Sequence, residues 1–421
     1  MTKNSIKFSA LAAMSVALGS GAVVAQDDEN FFIRDKYEAV TDRAQPEYDP
    51  VPIRTGAFEV RPEVDFTAGF TDNLFASGNT ETDDFFVGIV PSIAFDSTWS
   101  RHSFGFGGEI DHREYTDTTS ESRTNIRLQA DGRIDVNSNF NLFGAVEAGD
   151  LTEPRSNIAS VLNASEPVEY SRIGGEAGGQ YESGRLRVRG AVGLQTYDYD
   201  DVELNNGLIQ DQDFRDRDEI SARLRVSYAV ERDWAVFAEL IRNEDDYDPP
   251  NVFNALNRDS EGTIVRVGTD FELQSLLRGD IGVGYFQSEY DDPTLVDVDG
   301  ASVAANLQWF VTQLTTVSGT AGRAVIDPGL VQTNAAVRTN VGARADHELR
   351  RNVILTGEAR FTNYEYENID RDDDRIDLRV AAVWKVNPNI WLDGSYELTD
   401  QSSNVQDFSE NRVLFGIRIF P

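Results

Sequence analysis

From residue 57 to its C-terminus the chain alternates apolar and polar side chains with a period of two. In Phe58–Phe70 the even positions hold Phe58, Val60, Pro62, Val64, Phe66, Ala68 and Phe70. The odd positions hold Glu59, Arg61, Glu63, Asp65, Thr67 and Gly69. A helix would scatter these two sets around its circumference, whereas a strand places them on opposite faces. The pattern returns in Phe85–Phe95, Ile126–Val136, Leu186–Leu194, Ile220–Tyr228 and Ile376–Trp384. About 18 runs of roughly 10–14 residues fit this description, with 16 or 20 strands as the neighbouring counts. At ~3.3 Å per residue and a ~40° tilt, such a run crosses a ~25 Å apolar band.

The connections alternate in length. Tight ones are expected around 97–101, 137–139, 182–184, 231–233, 274–275, 311–313, 349–352 and 387–389. Longer acidic ones include 73–84, 150–169, 198–218, 243–261, 288–300 and 364–374, and 325–335 is ambiguous. Short turns on one side, long loops on the other and an even strand number describe a transmembrane antiparallel up-and-down β-barrel. A soluble sandwich, solenoid or propeller also alternates, but its apolar face should be densely filled, and a solenoid would show a short fixed repeat. Here the polar face carries both signs of charge in strand after strand, which suits a wide, watery lumen.

Residues 1–25 read as a cleavable secretory leader. Lys3 and Lys7 precede the short apolar core Phe8–Leu18, and Val23-Val24-Ala25 supplies small residues at the cleavage site. Residues 26–56 then form a polar, Pro-bearing periplasmic lead-in, and 57–421 the barrel. No later segment resembles a transmembrane helix, so membrane insertion has to be by strands. The expected location is the bacterial outer membrane.

Charge excludes some functions. The chain has 38 Lys+Arg against 72 Asp+Glu, a net charge of −34, which opposes unaided nucleic-acid binding. Without Cys there are no disulfides, thiolate metal sites or cysteine nucleophile. Four loops (198–218, 244–259, 289–299 and 365–375) hold 24 acidic and five basic residues, so much of the acidity is expected on an outer face. The tryptophans Trp99, Trp234, Trp309, Trp384 and Trp391 all lie near tight turns, which reads as a periplasmic aromatic girdle. Tyr115, Tyr170, Tyr197, Tyr285, Tyr364 and Tyr396, near the long loops, read as an outer one.

The last strand places Val413, Phe415, Ile417 and Ile419 on the lipid face and Arg418 inward, and its aromatic finish at Phe420 resembles a barrel-assembly signal. The segment 48–58 (YDPVPIRTGAF) with Pro62, then Asp72-Asn73-Leu74-Phe75 and the stretch from Asp84 through Pro91 to His102, resembles the opening of the putative beta-barrel porin type 2 family. The resemblance is strongest over 48–115. It implies a Gram-negative outer-membrane barrel, often associated with polysaccharide secretion, and brings no catalytic or ligand residues.

The search for chemistry gives little. His102 and His347 fall at tight turns, and His112 has lipid-facing parity, so no catalytic site is expected. Arg278-Gly279-Asp280 should point into the lumen rather than serve adhesion. No cofactor is expected, and Asp370, Asp372 and Asp374 are weak Ca²⁺ candidates. The lumen-lining candidates are Glu59, Arg61, Glu63, Asp65, Arg113, Arg127, Arg133, Arg185, Arg187, Arg189, Arg223, Arg225, Arg266, Arg344, Arg360 and Arg379. They offer cross-strand ion pairs, and a field for polar solutes. The function expected is a porin-like passive conduit for polar solutes, with a link to polysaccharide export implied by the resemblance. The alternative is a plugged structural barrel that docks partners. Outer-membrane lipid, lipopolysaccharide, the barrel-assembly machinery and export components are the expected partners.

Overall fold

In a computed structural model of the chain, which describes residues 38–161, 163–248 and 257–421, eighteen antiparallel strands run from Phe58–Thr71 to Phe408–Ile419. They are 12 to 16 residues long, and each pairs with its neighbours in chain order. The last strand pairs with the first from Val64↔Ile419 to Thr71↔Arg412, which closes the barrel. Closure leaves no free sheet edge, as a strand protein in lipid requires. The short strand Ile53–Thr55 pairs with Phe58–Val60, on the part of the first strand that the last one does not reach. The leader falls outside the described residues, as do part of the lead-in and part of the 243–261 loop.

All eight tight connections lie where the alternation places them, the shortest being the two-residue turns Gly184–Arg185, Arg232–Asp233, Gln313–Leu314, Arg351–Asn352 and Pro388–Asn389. Two outer connections are markedly shorter than expected, and the first of them is 291–297 rather than 288–300. The strands continue to Tyr366 and resume at Asp372, leaving only 367–371 as loop.

The barrel is apolar outside and ionic inside. Phe66, Phe85, Val87, Leu128, Leu194, Val226, Val380 and Phe415 are exposed on the outer surface. An uninterrupted band of this kind would drive association in water, and hydrocarbon removes that penalty. Among the described residues no helix is long and apolar enough to cross a membrane; the strands do so.

Four of the five tryptophans sit on the outside near the tight turns: Trp99, Trp234, Trp309 and Trp384 are each more than two-fifths exposed. Trp391 does not. It shares parity with Asp393 and Glu397, faces inward, and donates from its indole N–H to the Tyr48 carbonyl at 2.9 Å. The outer tyrosines divide likewise. Tyr285 and Tyr396 are exposed on the lipid face, whereas Tyr115, Tyr197 and Tyr364 are buried inside the barrel. Closeness to a loop gives height along the barrel axis, but parity decides the face.

Inside, rings lie over glycines on the next strand. A Cβ at Gly69 would stand 2.2 Å from the Phe86 ring, and one at Gly178 would stand 2.5 Å from Phe143. Arg113 and Arg189 in turn cover those two rings, at 4.5 and 4.0 Å.

Candidate transport lumen

Alternation turns one side chain in two inward, and most inward arginines meet a carboxylate on the same or an adjacent strand. Arg61 binds Glu59 (2.7 Å) and Asp96; Arg127 binds Glu109 (3.1 Å); Arg133 binds Asp135 (2.9 Å). Arg187 binds Glu182 at 2.9 Å, and Arg225 binds Asp270 while stacking on Phe237. Glu239 sits between Arg223 (3.2 Å) and Arg266 (2.9 Å). Arg344 bridges Asp346 and Glu358, and Arg379 meets Glu397 at 3.2 Å. Glu63 and Asp65 converge on Arg418, at 3.0 and 3.5 Å. These groups form a wall lattice whose members hold one another's rotamers.

Three of the expected lumen arginines behave differently. Arg185 is a turn residue at the periplasmic rim, reaching the Val230 carbonyl at 3.4 Å, rather than part of the lumen wall. Arg113 and Arg360 face inward, but neither has a carboxylate at ion-pair distance among the described residues.

The long loops close over the outer mouth. Residues 153–161 leave one wall and reach the opposite one. Ile158 and Leu330 both pack against the cluster of Ile326, Tyr364 and Tyr366, and the Ser156 carbonyl accepts from Arg375 at 2.8 Å. Arg155 grips Glu121 at 2.6 Å, and Arg215 pairs with Glu153. Ala164 and Val168 pack with Tyr197, Tyr199 and Val202 on the near side.

At the centre, largely shielded Asp327 accepts from Arg258 (3.2 Å), Tyr247 Oη (2.9 Å) and the Gly329 N–H (2.8 Å), with Arg217 3.9 Å away. Burial alone would raise this carboxyl. Arg258 and Arg217, helped by those hydrogen bonds, hold it below the usual carboxylate range. Asp216, in the adjoining loop, is pushed up to about 6. Burial is the main cause and Asp198, Asp213 and Asp248 add to it, against the bond from the Tyr199 N–H.

The signs oppose. A raised carboxyl gives stability that is lost as pH climbs through about 6, and a lowered one gives stability lost as pH falls below the ordinary carboxylate range. Hydrogen-exchange protection of residues 211–216 and 327–335 is therefore expected to peak near pH 4, to fall from there to about pH 6 and to level off above it. A rise between pH 4 and 6 would contradict this.

Below the plug lies a chamber of about 450 Å³. Asp327, Asn334, Tyr247 and Tyr290 line it beside the loops. Gln129, Gln195, Ser221, Asn243 and Ser260 offer amides and hydroxyls, and Asp131, Glu147, Asp245, Arg223 and Arg266 offer charge. Such a lining can replace the water around a polar, hydroxyl-rich solute.

The periplasmic mouth also receives chain. Val40 N–H donates to Thr316 Oγ1 (3.1 Å), Arg43 pairs with Glu348 (3.1 Å), and Lys385 reaches Asp49 (2.7 Å). Residues 40–49 of the lead-in therefore lie against the inside of the barrel, across the arc from the Thr315–Ile326 strand to the Ile390–Ser403 strand.

Other expected positions separate. Asp372 and Asp374 point outward from a strand and share Asn363 Nδ2 (2.7 and 3.0 Å), with Asp370 in the loop before them. Among the described residues the carboxylates within metal-ligand distance of one another are instead Asp201, Asp211 and Asp213. His112 lies on the outside, 2.9 Å from Thr124 and 3.6 Å from Glu114. His102 accepts from the Asp135 N–H, and His347 meets Thr315. Arg278 turns inward to Gln308 (2.8 Å), and Asp280 is buried.

Comparison with known proteins follows the same lines. The family described as Putative beta-barrel porin 2 matches residues 45–420. No curated protein matches. Among solved structures, Pseudomonas aeruginosa OccK3 (OpdO) is 12% identical, with a TM-score of 0.46, over 86% of this chain and 96% of that one. The P. aeruginosa OccK2 (OpdF) complex with glucuronate is 9% identical, with a TM-score of 0.45, over 86% and 98%. A BenF-like porin from Pseudomonas fluorescens is 9% identical, with a TM-score of 0.43, over 86% and 99%.

Proposed function

The chain belongs to the Putative beta-barrel porin 2 family, and from that premise we propose that it is a passive conduit for small polar solutes across the outer membrane. It is a porin-family barrel, not an enzyme. The observation that supports the reading best is the chamber of about 450 Å³, where amides, hydroxyls and both signs of charge adjoin apolar Ile264, Phe286 and Val325, inside a closed barrel of eighteen strands. Barrels of this size leave an aqueous channel unless something fills it. Here loops narrow the outer mouth and the lead-in narrows part of the inner one, so the solute is small and the conductance low.

Planar-bilayer recording on the purified barrel tests this. Discrete, ohmic steps are expected, and liposomes carrying the barrel should swell faster in small sugars than in oligosaccharides. Absence of any step would overturn the conduit. A plugged barrel with a structural role would then gain ground, since chain enters both mouths; co-purification with a periplasmic or secretion component would support it. Passage of an extended polysaccharide requires both mouths to open together. It would show as a block of the current by long glucans.

A further inference from the structure

The wall lattice has a gap. Arg113 and Arg123 are directly opposite each other on adjacent strands, and both point inward. Arg113 is 9% exposed, with its face on the Phe86 ring and no carboxylate at ion-pair distance. Among the described residues the Arg123 side chain has no hydrogen-bond partner, and its Nε is shielded from solvent. Like charges directly opposite in a sheet repel, and a buried guanidinium without an acceptor is costly.

The surrounding groups do not resolve the charge. Arg412 and Tyr115 adjoin the pair. Glu121 is taken by Arg155, Glu410 by Arg412 and Glu397 by Arg379. Asp111 is nearby but beyond ion-pair distance of both arginines. Below Arg113 the wall turns acidic: Glu63, Asp65, Glu109 and Asp111 border a cavity of about 60 Å³. An anion is thus confined to the level of the two arginines.

We propose that Arg113 and Arg123 form an oxyanion-binding site in the lumen wall, which takes a phosphate-sized group either free or borne on a solute. Two guanidinium edges offer the paired N–H donors that suit such a group. The site stands apart from conduction, because binding can be read without any current.

The test measures binding of inorganic phosphate to the purified full chain by equilibrium dialysis, and the denaturation midpoint with and without phosphate. Saturable binding and a raised midpoint are expected for wild type. Both should vanish in Arg123→Gln, which without phosphate should be at least as stable as wild type because it removes an unpaired charge. Arg123→Lys should bind more weakly, and Arg338→Gln, elsewhere in the lumen, should bind normally. Competition by glucose 6-phosphate would extend the site to anionic solutes; failure to compete would restrict it to the free ion. No saturable phosphate binding, or equal binding in Arg123→Gln, would overturn the proposal.

Discussion

Replacing residues 155–160 with a short glycine linker is expected to raise single-channel conductance more than any point substitution in the barrel. A pore's resistance is dominated by its narrowest section. The loop's contacts with the far wall, Ile158 on the Ile326–Tyr364–Tyr366 cluster and Ser156 on Arg375, span the mouth rather than line it. Removing them should increase conductance by more than about twofold, since a barrel of this width is otherwise open. The strands keep their ladders, so the denaturation midpoint should fall only modestly. The cost is local: Glu121 loses Arg155 and is left buried.

Asp327→Asn gives a graded version of the same experiment. Arg258 and Arg217 then keep a neutral partner in a dry setting, where breaking a buried pair typically costs about 3–5 kcal/mol. That exceeds what one loop's packing can offset, so the substituted plug should fluctuate and the current become noisy rather than uniformly larger. Conductance unchanged in both variants would show that the solute path avoids this mouth.

The strands were legible because their burial is periodic. One face meets lipid and the other an ionic lumen, so a one-residue slip would turn Arg61 or Arg127 into hydrocarbon; register is thereby fixed. Above the bilayer both faces are polar and the signal fades. This is why Asp372 and Asp374 read as loop although they continue a strand. Their acidity also reads as outward, yet Asp373 between them is fully buried against Arg371 and Tyr366. Loop paths were not legible, because nothing local in residues 153–168 encodes a partner some 200 positions away. One signal was present: Ile158 and Val161 are apolar in a polar connection, and Arg215 and Arg217 are cations set among Asp213, Asp216 and Asp218. Residues of that kind are costly in water unless the loop folds onto something.

Trp391 offers the sharpest test of the inner mouth. Its indole N–H holds the Tyr48 carbonyl, its face covers Lys385 Nζ at 4.4 Å, and its edge meets Phe420 with centroids 5.0 Å apart. Lys385 completes the anchor through Asp49. Further along, Arg43 is only partly shielded, so its pair with Glu348 contributes about 1 kcal/mol or less. The segment is thus fixed firmly at 48–49 and weakly at 40–43. Trp391→Ala removes the hydrogen bond and the cation–π contact together, a loss of roughly 2 kcal/mol, which should release the whole segment about 30-fold more often. Trypsin should then cut after Arg43 correspondingly faster in intact barrels, and conductance should rise toward that of a barrel lacking residues 38–50. Trp234→Ala, at the same end of the barrel but on its outer surface and away from the segment, should change neither. Were Trp391→Ala to leave both the cleavage rate and the current at wild-type values, the lead-in would be a passive lining rather than a restriction on the inner mouth.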